Sequence, residues 1–91
     1  MTVLLKDPNA ALDYSVDWSA YLEAGETLAG SAWQIDPAGE LAYTAASFDT
    51  ASATATLTGG VIGHVYRVTN RITTSLGRID DRSFILRVED Q

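Results

Sequence analysis

Polar and apolar residues alternate with a period of two along most of the chain from Leu12 onward, and no stretch carries a helical stripe. Tyr14, Val16 and Trp18 alternate with Ser15 and Asp17, which predicts a first strand. Ahead of it, Asp7-Pro8-Asn9 is turn chemistry. It ends a flexible N-terminal arm expected over residues 1–10 and leaves one domain over 11–91. Ser19 to Ala24 suffices for a single helical turn, capped by Ser19 and stopped at Gly25.

The second strand runs from about Thr27 to Ile35, with Ser31, Trp33 and Ile35 on one face. Asp36-Pro37-Ala38-Gly39 then reads as a type I or II turn, since proline presets φ and glycine accepts positive φ. A third, irregular strand covers Leu41 to Phe48. Asp49-Thr50 leads into the clearest alternation, where Ala53, Ala55 and Leu57 point one way and Thr54, Thr56 and Thr58 the other. Gly59-Gly60 ends it. Gly63 to Ser75 form a long strand that turns Tyr66, Val68 and Ile72 inward and Arg67, Thr69, Arg71 and Thr73 outward. After Leu76-Gly77, a last strand from about Asp81 to Glu89 buries Phe84, Leu86 and Val88.

Short strands separated by Gly, Pro and Asp turns, with no helices between them, predict an all-β antiparallel sandwich of six to seven strands. Gly63-His64-Val65-Tyr66-Arg67-Val68 resembles the approach to the penultimate strand of immunoglobulin-like domains. There a tyrosine ring packs in the core while its hydroxyl returns to the backbone upstream. The expected fold is therefore immunoglobulin-like or fibronectin-III-like, with Trp18, Trp33, Tyr66 and Phe84 in structural roles.

At 91 residues the chain has room for one core. Small domains usually add a disulfide, a metal or a partner subunit to a modest core. With no cysteine and His64 as the single histidine, disulfides and Cys/His zinc sites are excluded, so partner subunits are the staple left. No cofactor is expected. No apolar run approaches a membrane span and Met1 to Lys6 shows no secretion signal, so no membrane partner is expected. The net charge of −6 argues against nucleic acid. That charge is uneven: residues 1–60 hold eight carboxylates against Lys6 alone, whereas residues 61–91 hold five arginines against four carboxylates. Either those arginines pair with carboxylates on neighbouring strands, or an acidic face of one subunit meets an arginine-bearing face of the next.

No catalytic constellation assembles from these residues. A triad needs a base held by a carboxylate beside Ser or Cys, and His64 sits next to a glycine in an expected loop. Asp80 and Asp81, adjacent on a strand, point to opposite faces and do not converge on a substrate. A calcium site at Asp80, Asp81 and Asp49 lacks the spaced acidic loop that calcium sites use. The glycines at 59, 60 and 63 precede no Lys-Ser/Thr and no helix, so they form no phosphate loop. The interaction candidates are the threonine face, the loop residues Tyr21 and Leu22, and the outward arginines Arg67, Arg71 and Arg78. Tyr21 and Leu22 either tuck over the core end or dock.

Lys6-Asp7-Pro8, Leu12-Asp13-Tyr14, Asp17-Trp18-Ser19, Ser31-x-Trp33 and Gly59-Gly60 together resemble small tailed-phage proteins described as fiber-tail adaptor or head–tail region structural proteins. The most specific stretches are Thr69-Asn70-Arg71-Ile72-Thr73-Thr74 and Gly77-Arg78-x-Asp80-Asp81-Arg82-Ser83-Phe84. The resemblance implies a non-enzymatic virion component, made in the bacterial cytoplasm, that contacts other tail, neck or fiber proteins in several copies. In its signature, Arg71 and Arg82 are expected to pair with Asp80, Asp81 or Asp17 and so fix register. A module binding host-surface sugar is the alternative, favoured if Tyr21 or Tyr43 lies exposed in a shared groove.

Overall fold

The computed structural model describes residues 3–90; residues 1 and 2 of the expected arm and residue 91 of the expected domain lie outside the described residues. Seven strands follow in order: β1 (Val3–Lys6), β2 (Leu12–Asp17), β3 (Leu28–Asp36), β4 (Leu41–Phe48), β5 (Ser52–Gly59), β6 (Val65–Thr74) and β7 (Ile79–Val88). They form a four-stranded sheet in the order β1-β7-β6-β3 and a three-stranded sheet in the order β2-β5-β4. The protein is an all-β sandwich. All pairings are antiparallel except β1 with β7, which is parallel, with Val3 opposite Ile85 and Lys6 opposite Val88.

Alternation explains the core. Ala53, Ala55 and Leu57 of β5 and Tyr66 and Val68 of β6 are fully buried, and Phe84, Leu86 and Val88 of β7 pack with them and with Trp33. Burying one such large apolar side chain contributes about 1.5–3 kcal/mol. Tyr14 stacks on Phe84 with ring centroids 5.7 Å apart. A second, smaller cluster of Trp18, Leu28 and Ile72 closes one end of the sandwich. Buried polar groups fasten each end. The buried Asn70 accepts from Trp18 Nε1 (2.9 Å) and donates to Ser31 Oγ and the Ala32 carbonyl. The Tyr66 hydroxyl accepts from the Val61 amide (2.9 Å), the upstream backbone contact its position in the sequence suggests.

Several local expectations are corrected. Residues 3–6, placed within a flexible arm by the sequence, form β1, where Leu4 packs on the core and Lys6 is buried. The Lys6 ammonium is accommodated because the carbonyls of Asp7 and Gly59 both accept from it at 2.9 Å. Residues 19–24 make a turn rather than a helical segment, and Asp17, not Ser19, supplies the capping oxygen, to the Ser19 amide. The Asp36–Pro37 turn contains a cis peptide bond, unlike the trans type I or II turn expected there. The irregularity foreseen in the third strand is a bulge between Thr44 and Ser47 of β4, where Ala45 takes φ +50°.

Candidate interaction surfaces

The loop that follows β2 is held against the end of the sandwich. Trp18 is fully buried, Tyr21 packs edge-on against it at 5.4 Å, and Leu22 joins the same cluster. Arg78, just before β7, lies over the Tyr21 ring at 4.4 Å and donates to the Tyr21 carbonyl. Its guanidinium also grips both carboxylate oxygens of Glu26, whose side chain is buried. These bonds hold the Glu26 carboxyl down at about 2, well below the usual 4.5, against the opposing effect of burial. Arg82 stacks on the Trp18 indole at 4.5 Å and donates to the Asp17 carbonyl. Of the two sequence alternatives for Tyr21 and Leu22, the loop is tucked over the core end.

Arg67 and Arg71 project from the outer face of the four-stranded sheet. Arg71 makes a bidentate pair with Asp81, directly across from it on β7, and this hydrogen bonding lowers the Asp81 carboxyl. Arg82 meets the carbonyl of Asp17 rather than a carboxylate. Arg87 pairs with Glu89. Arg67, opposite Asp36, makes no ion pair and is the arginine left free for an outside contact among the described residues. Most of the arginines are thus engaged within the chain.

The outer face of the three-stranded sheet is small and hydroxyl-rich. Thr54 meets Ser15 and Thr56 meets Asp13 across the β2–β5 ladder. The inner face of β4 is only partly covered. Tyr43 and Phe48 lie on the same side as the buried Leu41, yet are 43% and 45% exposed. Between β3 and β4 this leaves a groove of about 380 Å³ lined by Trp33, Ile35, Leu41 and Tyr43. Tyr21 takes no part in it.

Glu40 is a residue that sequence reasoning missed. One of its oxygens accepts from the Tyr66 hydroxyl (2.7 Å) and faces His64 Nδ1 at 2.9 Å, and these bonds lower its carboxyl. No signal in the sequence marks it, because its partners lie more than twenty positions away. The arrangement ties the turn before β4 to the start of β6, and among the described residues no Ser or Thr hydroxyl is bonded to His64. Among the described residues no three His, Asp or Glu side chains are grouped to hold a metal ion. Asp81 is engaged by Arg71, and Asp49 accepts from the Ala51 and Ser52 amides, which lowers its carboxyl.

Comparison with known families gives these surfaces a setting. The family described as Podophage GP4 fiber-tail adaptor protein gp77 matches residues 6–87. The chain belongs to this family. The resemblance carried by Asn70-Arg71-Ile72 and Asp80-Asp81-Arg82 is borne out, and the match takes in β2 to β6 whole and most of β7. No curated protein matches. As a member of the fiber-tail adaptor family the chain is a phage structural protein, and the adaptor name implies contact with other virion proteins.

Proposed function

We propose that this chain is a non-enzymatic part of a tailed-phage particle that joins fiber and tail proteins through protein–protein contacts, in several copies. It is made in the host cytoplasm and ends in the virion. The family match over residues 6–87 carries this reading. The structure is consistent with it: loop and arginines are fastened internally, giving a rigid body whose surfaces need little ordering on binding. The strand order β1-β7-β6-β3 over β2-β5-β4 also supports reading the sandwich as immunoglobulin-like. Several copies would strengthen weak single contacts by avidity.

Deleting the coding segment from the phage and inspecting the particles tests the role. The expected result is tails without fibers, restored when the chain is supplied in trans. Particles with normal fibers would overturn it. The sugar-binding alternative rests on the exposed Tyr43 beside Trp33. A monomer that retains a glycan on an array would favour that alternative.

A further inference from the structure

Each sheet ends in two open edges, formed by β1 and β3 in one and by β2 and β4 in the other. An open edge offers unpaired amides and carbonyls to any passing strand, and proteins blunt such edges with short strands, charges, prolines or bulges. Three of the four are blunted here. β1 is four residues long and carries the inward-turned Lys6. β2 carries Asp13 and Asp17. β4 is broken by the bulge around Ala45. β3 differs. Its own irregularity lies at its start, and the run Gly30–Ile35 beyond it keeps regular register with β6 and holds no charge and no proline.

The same strand stands between two hollows. On its inner side is the groove floored by Trp33, Ile35, Leu41 and Tyr43. On its outer side a smaller hollow of about 210 Å³ is bounded by Ala32, Gln34 and the Arg71–Asp81 pair. Side chains of a strand laid along β3 would alternate between the two. Trp33 lines both hollows, and its indole Nε1–H is buried with no acceptor. An unbonded buried donor is sensitive to its surroundings, so the indole N–H reports on what packs into either hollow.

Charge selects the kind of strand. Residues 7–66 contain eight carboxylates and no lysine or arginine. β3, β4 and the turn joining them carry Asp36 and Glu40 as their only charged residues, with Arg67 opposite Asp36 on β6 and His64 against Glu40 as the basic groups beside them. Two copies of a chain with net charge −6 repel each other, whereas a cationic segment is drawn in. We propose that the open edge of β3 is a docking site for an extended segment of another protein, one that alternates apolar and polar side chains and carries lysine or arginine where it passes residues 36–40. The setting rests on the adaptor reading, which makes that protein a fiber or tail component.

The test uses the full isotope-labelled chain and a synthetic peptide of alternating valine and threonine ending in lysines. Amide signals of β3 and the Trp33 indole N–H should shift together and saturate on titration. The Trp18 indole, already donating to Asn70, should stay still. The same peptide ending in glutamates should bind about tenfold more weakly. Gln34→Lys, which places a guarding charge on the edge, should abolish the shifts while leaving the rest of the spectrum unchanged. Shifts centred on β1, β2 or β4, a motionless Trp33 indole, or equal affinity for the two peptides would overturn the proposal. Shifts of β3 on concentrating the protein alone would also overturn it, by assigning the edge to a second copy. Fiberless deletion particles combined with a failed titration would remove the docking edge and leave the adaptor role standing.

Discussion

Arg78 binds Glu26, donates to the Tyr21 carbonyl and covers the Tyr21 ring with one guanidinium. Removing it leaves a buried carboxylate without a counter-charge, which costs far more than the pair contributes net. Arg78→Met should therefore lower the melting temperature, followed by circular dichroism, by on the order of 10 °C. Adding Glu26→Met should recover most of that loss, because the orphaned charge is gone. Acid has a related effect. The Glu26 carboxyl sits at about 2 when folded, below its ordinary value of 4.5, so the folded state binds fewer protons than the unfolded one across that interval. The stabilisation is complete above about pH 4.5 and is lost as pH falls towards 2. Acid titrations of melting temperature should show a shallower decline in Glu26→Gln. None of this pairing was legible in the sequence. Glu26 reads as an ordinary loop carboxylate, and an exposed-looking aromatic and arginine suit an internal clamp as well as an outside contact. Only proximity across fifty-two positions separates those uses. Asn70 was hidden in the same way, a polar residue at an inward position whose partners Trp18 and Ser31 come from the loop after β2 and from β3.

Strands with one buried face announced themselves. Ala53-Ala55-Leu57 against Thr54-Thr56-Thr58 can be read from period alone, because only one register puts the apolar set on the core. β1 could not be read so. It has four residues, its partner β7 lies at the other end of the chain, and Lys6 occupies a core position that period would give to an apolar residue. In the sequence Gly59-Gly60 ends a strand, and the structure supplies the reason for the second glycine. Gly60 has φ +94°, and a Cβ there would lie 2.6 Å from Val88 Cγ2. Gly60→Ala combines backbone strain with overpacking and should destabilise by about 1–3 kcal/mol in urea unfolding, with an unchanged denaturant slope.

The molecule as a whole is elongated, 43 Å by 24 Å by 21 Å, with its first and last strands lying side by side. Because β1 and β7 run parallel, the start of β1 and the end of β7 sit at opposite ends of their shared ladder. A pull between those two points slides one strand along the other, so the rungs from Val3–Ile85 to Lys6–Val88 are loaded together and none peels first. Lys6, pinned to the Gly59 carbonyl of the opposite sheet, adds a bolt at one end of that ladder. Pulling single molecules by these two ends should give an unfolding force that drops markedly in Lys6→Met, and more when residues 3–6 are deleted. Tension applied between those two points is thus met in shear, the direction in which a short ladder of hydrogen bonds resists best.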